Sequence, residues 1–156
     1  MSKTLVIVFP TKAFIKRDFA NQGYLVDKLS ANIKSYVDKN FKVVNVLYAP
    51  DYTCGTTDDF TLADMEVLKD GATVRSAPAK EFFFQQNDAM LYDPIAKELG
   101  IENEEAIVVG GFHYGECVDK MANAIRAINP NVTIDPSITN EIKYKQEICK
   151  EEEMEI

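Results

Sequence analysis

Short apolar runs alternate with amphipathic segments along most of the chain. Residues 5–9 are apolar and β-branched and are followed by Pro10, a pattern typical of a buried strand. Between residues 23 and 40 apolar side chains recur every four positions, which predicts a helix with one buried face. Residues 42–48 form a second apolar run, so this half of the chain predicts two strands joined by a helix.

The second half continues the alternation. A third strand is predicted at residues 80–84, a fourth at 106–109 and a last one at 131–134. Helices are predicted at 61–68, at 94–99 with Asp93 as the N-cap, and at about 114–127. The fold class that follows is α/β, a three-layer α-β-α sandwich around a mainly parallel sheet of five or six strands. Its central strands should bury Val6, Val44, Val108 and Val132.

The length and the tail set the domain organisation. With 156 residues the chain suits one domain, which we place at residues 1–140. Residues 141–156 are rich in acids and are expected to form a solvated helix or tail. Ligands of parallel sheets bind outside the carboxyl ends of the strands. That rule selects residues 9–14, 48–54, 80–84 and 110–117 as candidate site segments.

Charge argues against some partners. Lys and Arg number 17 and Asp and Glu number 25, giving a formal charge of −8 that repels phosphate backbones and anionic membranes. We therefore expect no nucleic-acid partner and no membrane partner. The one small basic cluster, Lys12, Lys16 and Arg17, is interpreted as a solvated loop. No apolar run approaches a membrane span, and the N-terminus has no signal-peptide pattern.

Cysteine usage points to a reducing compartment. The three cysteines, Cys54, Cys117 and Cys149, are an odd number with no C-x-x-C pair, so they indicate neither a disulfide framework nor a zinc site. We expect a cytoplasmic protein with reduced thiols.

Cys117 is the best-marked functional residue. The glycine-broken strand end at residues 110–111 leads into a helix whose first turn contains this cysteine. Free amides and the positive end of the helix dipole favour thiolate there, and they could also hold an oxyanion during acyl transfer. The competing interpretation is that Cys117 is a buried cysteine that only fills space.

Around this cysteine the sequence resembles the isochorismatase-like cysteine hydrolases, the family that includes nicotinamidases. The family has a strand, a glycine, a Cys-Val pair six residues later and an alanine seven residues past the cysteine. Gly111, Cys117, Val118 and Ala124 occupy those positions. The resemblance implies the three-layer fold described above and hydrolysis of a small amide or ester.

The resemblance also implies a triad of a cysteine nucleophile, an aspartate base and a lysine. Cys117 matches the nucleophile and Lys80 lies about where the lysine belongs. The aspartate ends the first strand, five residues before a phenylalanine that Phe14 matches, so its position here holds Phe9. A phenyl ring cannot accept a proton, and the base of the family mechanism is missing. Lys80 can equally be a solvated lysine at a strand edge.

Two further expectations follow from the resemblance. Metal-dependent relatives have histidines after the second strand, whereas here Asp51 is followed by none, so we expect no metal and no cofactor. The family's unusual cis peptide would fall at Phe112–His113, with the amide of His113 helping to form an oxyanion hole. His113, four residues before Cys117, is also a candidate replacement base. Weaker candidates for the base are Glu116, Asp51 and Asp88.

Two functions remain open at this point. In the first, the chain is a divergent isochorismatase-like protein that has lost hydrolysis and is retained as a binding or assembly module. In the second, it is a cysteine hydrolase in which Cys117 attacks, Lys80 lowers the thiol pKa, and His113 or a water moves the proton. The expected partners are a small-molecule ligand and, for assembly, a second copy of the chain.

Overall fold

The computed structural model describes residues 2–20, 22–48, 61–76 and 88–143. Within these residues five parallel strands form one sheet in the order β3-β2-β1-β4-β5. The strands are β1 Lys3–Val8, β2 Phe41–Leu47, β3 Ala72–Arg75, β4 Ala106–Gly111 and β5 Val132–Thr139. The helices are α1 Lys12–Phe19, α2 Gly23–Val37, α3 Glu66–Lys69, α4 Asp88–Glu98 and α5 Cys117–Arg126. The predicted fold class is confirmed.

Successive side chains of β1 point to opposite sides of the sheet, and they are apolar on both sides. Both faces of the sheet are therefore covered by helices. Val6 and Val8 pack in one core, with α4 and α5. Leu5 and Ile7 pack in the other, with α1, α2 and α3. The two buried clusters form the upper and lower halves of a three-layer sandwich, and β1 is buried on both sides.

The central valines follow the prediction with one exception. Val6, Val108 and Val132 are buried, whereas Val44 is half-buried. Val44 pairs with Ala72, the first residue of the edge strand β3, so less protein covers it.

Several predicted elements need correction. The segment that contains Lys12, Lys16 and Arg17 is helix α1 and not a loop, capped by Thr11, whose hydroxyl accepts a hydrogen bond from the Phe14 amide. Strand β3, at Ala72–Arg75, was not predicted, because its four residues carry no long apolar run. The predicted strand at residues 80–84 lies outside the described residues, as does the tail from residue 144 onward.

The predicted element boundaries also shift. Helix α4 begins six residues earlier than predicted, so Asp93 lies inside the helix and is not its N-cap. The short helix predicted at 61–68 is reduced to Glu66–Lys69. Strand β5 runs on to Thr139 through Pro136, which an edge strand tolerates. Helix α2 holds this extension, since Asn32 donates to the Ser137 carbonyl and the Tyr36 hydroxyl donates to Asp135.

The amino-terminal edge of the sheet is fastened by a buried carboxylate. The side chain of Glu104 is 5% exposed and accepts hydrogen bonds from the Thr4 hydroxyl at 2.6 Å and the Lys42 amine at 3.1 Å. Desolvation raises the pKa of Glu104, but the hydrogen bonds from Thr4 and Lys42 outweigh it and hold the pKa below its usual range. Glu104 thus joins the starts of β1 and β2 to the turn before β4.

Among the described residues, no helix has the length and apolar character needed to cross a membrane.

The buried carboxylate gives the first testable prediction. A lowered pKa means that ionised Glu104 stabilises the fold above its unfolded pKa of about 4.3, and that this stability is lost as pH falls through the folded pKa. Glu104→Gln should lower the free energy of unfolding at pH 7 by about 1–3 kcal/mol and flatten its decline below pH 5. Urea denaturation between pH 2.5 and 7 measures both effects. Glu105→Gln, at an exposed neighbouring carboxylate, is the control. Parallel curves for wild type and Glu104→Gln would contradict this role.

Candidate functional site

The candidate site lies between β1 and β4, where the order in which the chain adds strands to the sheet reverses. Strand β1 is central, the chain proceeds from it to β2 and β3 on one side, and β4 and β5 lie on the other. The carboxyl ends of β1 and β4 therefore flank the switch point at which ligands of such sheets bind. Phe9 follows β1, and the segment 112–117 follows β4.

Gly111 allows these two strand ends to come close together. Its φ is +107°, and a Cβ at this position would lie 2.2 Å from the Val8 carbonyl oxygen. Only glycine fits, because both the backbone conformation and the space exclude a side chain. The Phe112 amide then donates to the same carbonyl at 2.8 Å. The Phe112–His113 peptide is cis, as the resemblance implied.

Phe9 fills the end of β1. It is fully buried and has a φ of +48°, a left-handed conformation that bulky residues rarely adopt. The alternation of β1 would place Phe9 on the face of Leu5 and Ile7, but its ring packs in the cluster of Val8, against α4 and α5. The positive φ accounts for this change of face.

Aromatic rings surround Phe9. Its ring stacks on Tyr48 with centroids 3.9 Å apart and planes 7° from parallel, and it lies 6.5 Å from the Tyr92 ring. Phe14, on α1, contacts the edge of Tyr48 and lies 4.8 Å from the imidazole of His113. The predicted site segments beginning at Phe9, Tyr48 and Gly110 therefore meet.

Cys117 is the first residue of α5 and is half-buried. It packs against the cluster that contains Phe9. The helix start is held by the His113 carbonyl, which accepts hydrogen bonds from the amides of Glu116 and Val118 at 3.1 and 3.2 Å. Glu116 precedes the helix without a capping hydrogen bond from its side chain. The sulfur thus lies at the positive end of α5, beside an apolar wall.

His113 faces α1. Its Nε2 atom is 2.9 Å from Asp18 Oδ2 and 2.7 Å from a terminal nitrogen of Arg17. No hydrogen bond joins the imidazole to the Cys117 sulfur in the part of the chain that the structure describes. The role of His113 as a base stays a prediction, and Nδ1 is the nitrogen that would have to perform it.

The described structure does not test the other predicted site residues as partners of Cys117. Lys80 and Asp51 lie outside the described residues, and so does the side chain of Asp88. Glu116 is exposed. The roles assigned to Cys117 and Lys80 therefore also stay predictions.

The sequence did not reveal Asp18 and Tyr92 as neighbours of the site. Asp18 is 95 residues from His113 along the chain, and no local spacing connects them. Tyr92 comes from α4, whose start was predicted too late. The pairing of Phe14 with His113 could have been inferred only from the adjacency of β1 and β4.

The surroundings of the histidine disfavour a transition metal at its Nε2 atom. Its Nε2 atom faces the guanidinium of Arg17, a cation that opposes a second positive charge. In the described part of the chain, no group of three or more His, Cys, Asp or Glu side chains is placed to hold a metal ion.

Comparison with known proteins finds similar structures, but no match to a protein-family model or to a curated sequence. Among solved structures, an isochorismatase from Pseudomonas putida is similar with a TM-score of 0.56 and 13% identity, over 88% of this chain and 70% of that one.

Two amidases are comparably similar. N-carbamoylsarcosine amidase from Thermoplasma acidophilum has a TM-score of 0.54 and 18% identity, over 89% of this chain and 84% of that one. The pyrazinamidase of Pyrococcus horikoshii, solved in complex with zinc, has a TM-score of 0.54 and 15% identity, over 94% of each chain. The chain has the isochorismatase-like fold, as the resemblance implied.

The packing of Cys117 predicts its reactivity. Because the sulfur lies against the Phe9 cluster, iodoacetamide at pH 7 should label Cys117 at least about tenfold more slowly in the folded chain than in urea. Phe9→Ala should accelerate labelling in the folded chain, and Phe9→Leu, which keeps most of the volume, should not. Peptide mass spectrometry separates Cys117 from Cys54 and Cys149. Equal rates in folded and unfolded wild type would contradict the expected protection.

The surroundings of the histidine predict the metal content. Protein purified without chelators should contain well below about 0.1 zinc or iron per chain, because the single imidazole is held by Asp18 and Arg17. Elemental analysis by inductively coupled plasma mass spectrometry measures this. A stoichiometric metal that survives dialysis would show the expectation to be wrong.

Proposed function

We propose that this protein is a divergent isochorismatase-like protein that does not hydrolyse amides or esters and acts as a binding module for a small, mostly apolar ligand. The observation that carries the proposal is the position of Phe9. Its buried ring occupies the end of β1, where the resemblance places the aspartate that accepts the proton of the nucleophile. Removing a general base commonly costs a factor of 10²–10⁴ in rate.

The residues around Phe9 support the proposal that the catalytic base at the end of β1 has been lost. The ring is packed on Tyr48 and near Tyr92, and it shares a cluster with Val8 and Cys117. An aspartate placed into this set would be desolvated beside aromatic carbon. The neighbouring residues therefore suit an apolar residue at position 9.

The ligand class follows from the rings. Phe14 and Tyr48 are only half-buried and present aromatic surface beside the strand ends, with the buried ring of Phe112 packed near Phe14. Aromatic surface binds flat apolar groups by stacking and edge contacts worth about 0.5–1.5 kcal/mol beyond area burial. A small molecule with a flat aromatic group is the class that we propose.

The alternative is a cysteine hydrolase, and one observation favours it. Cys117 is half-buried at the start of a ten-residue helix, so a reagent could approach a sulfur near the positive end of the helix dipole. In that case Cys117 would attack the carbonyl carbon, Lys80 would have the role that the resemblance gives to the lysine, and His113 or a water would move the proton.

The test compares wild type with Cys117→Ala on pyrazinamide, N-carbamoylsarcosine and an activated ester. We expect equal rates for the two proteins. Phe9→Asp restores a carboxylate at the end of β1, and Phe9→Asn is its matched control, since both side chains tolerate positive φ and only one accepts a proton. We expect Phe9→Asp to exceed Phe9→Asn by roughly tenfold or more on at least one substrate.

Two results would count against the proposal. Wild-type turnover more than about tenfold above that of Cys117→Ala would establish the hydrolase. Equal rates for folded Phe9→Asp and Phe9→Asn would show that Phe9 is not the element that blocks the reaction. Circular dichroism confirms that the variants fold before the rates are compared.

A further inference from the structure

The Arg17–Asp18–His113 cluster contains a conflict that no single protonation state resolves. One imidazole nitrogen, Nε2, lies 2.9 Å from a carboxylate oxygen of Asp18 and 2.7 Å from a guanidinium nitrogen of Arg17. If Nε2 carries a proton it donates to Asp18 and meets the N–H of Arg17 as a second donor. If Nε2 is bare it accepts from Arg17 and meets Asp18 as a second acceptor.

We propose that this cluster is a pH-sensitive latch, in which protonation of His113 fastens α1 more tightly to the segment 112–117. In the protonated state Nε2–H donates to Asp18, a charge-assisted bond between two side chains that are each 18% exposed. In the neutral state the imidazole accepts a hydrogen bond from Arg17, in which only one of the two partners is charged. Histidine is the side chain whose ordinary titration spans pH 5 to 8, and His113 is the single histidine of the chain.

The direction follows from which partner can leave. The side chain of Arg17 is 62% exposed, and its guanidinium can turn to solvent or remain over the Phe14 ring, 5.1 Å away. Asp18 lies in the last turn of α1, where the negative end of the helix dipole disfavours a carboxylate. A positive imidazole beside Asp18 offsets that cost. Releasing Arg17 gives up its bond to the imidazole and its long contact with Asp18, 3.4 Å from Nε to Oδ1, and the exposed guanidinium can bond to water instead.

Arg17 and Asp18 are the charged side chains of α1 that lie within hydrogen-bond distance of the His113 ring. On the segment of His113 itself, Glu116 is exposed and the Asp119 carboxylate accepts a hydrogen bond from the Gly115 amide. After β5, the neutral side chain of Asn140 accepts from the Tyr114 amide.

The latch affects the site because α1 supplies one of its walls. Phe14 lies 4.8 Å from the imidazole and 6.3 Å from both Tyr48 and Phe112. When α1 is fastened, the Phe14 ring stays over the aromatic surface beside Cys117. The inference goes beyond the proposed function, since it holds whether or not Cys117 catalyses.

Hydrogen exchange of the α1 amides tests the latch in the full chain. After correction for the intrinsic effect of pH, α1 protection should be roughly fivefold greater at pH 5.5 than at pH 7.5, because a hydrogen bond between two charged groups replaces one with a single charged partner. Amides of α2 serve as the internal reference. Asp18→Asn should abolish the difference, and Arg17→Gln should keep it, because the protonated state uses only Asp18.

The outcomes separate the latch from a merely structural contact. Protection of α1 that is equal at the two pH values in wild type would overturn the proposal. A pH difference that survives in Asp18→Asn, or disappears in Arg17→Gln, would overturn it as well. His113→Gln removes the titrating group and should give pH-independent protection. Because the readout is exchange of α1, failure of the proposed binding function would not alter these results.

Discussion

The close approach of β1 and β4 is the constraint on which the rest of the structure depends. Val8 and Gly111 pair in register, and the space between their backbones excludes any side chain at position 111. Because these strands meet at the point where the sheet changes direction, whatever follows them is brought together. Phe9 follows one strand, and the loop that starts α5 follows the other. The aromatic cluster, the position of Cys117 and the contact with α1 all derive from this pairing.

Phe9, at the end of β1, has a conformational cost and a gain from burial. A phenylalanine with φ of +48° is strained by about 1–2 kcal/mol, whereas burial of its side chain contributes about 1.5–3 kcal/mol. The left-handed conformation directs the ring into the core of α4 and α5 and away from the face of Leu5 and Ile7. The residue that ends β1 is therefore part of the hydrophobic core.

The backbone and the side chains of the site are determined by different physical constraints. The start of α5, with its glycines and its cysteine, is fixed by backbone geometry that the sheet requires. The side chain at position 9 is constrained both by its positive φ and by the apolar cluster that surrounds its ring. The backbone and the side chain of His113 also have separate contacts. Its carbonyl accepts hydrogen bonds from the start of α5, and its ring contacts Asp18 of α1. The isochorismatase-like fold brings these residues to the switch point, but the fold alone does not specify the chemistry there.

The sequence by itself determined the alternation of strands and helices, the parallel sheet and the place of Cys117 at a helix start. These depend on local patterns: apolar runs, four-residue periodicity, and glycines where the backbone must turn. It missed α1 and β3, since α1 is short and polar and β3 is four residues long. Only the tertiary structure decided that Phe9 changes face, that Tyr48 stacks on it, and that Asp18 and Arg17 compete for one nitrogen of His113. Such contacts join residues far apart in the chain, and their geometry is set by strand order and by a single backbone dihedral, neither of which a local pattern encodes.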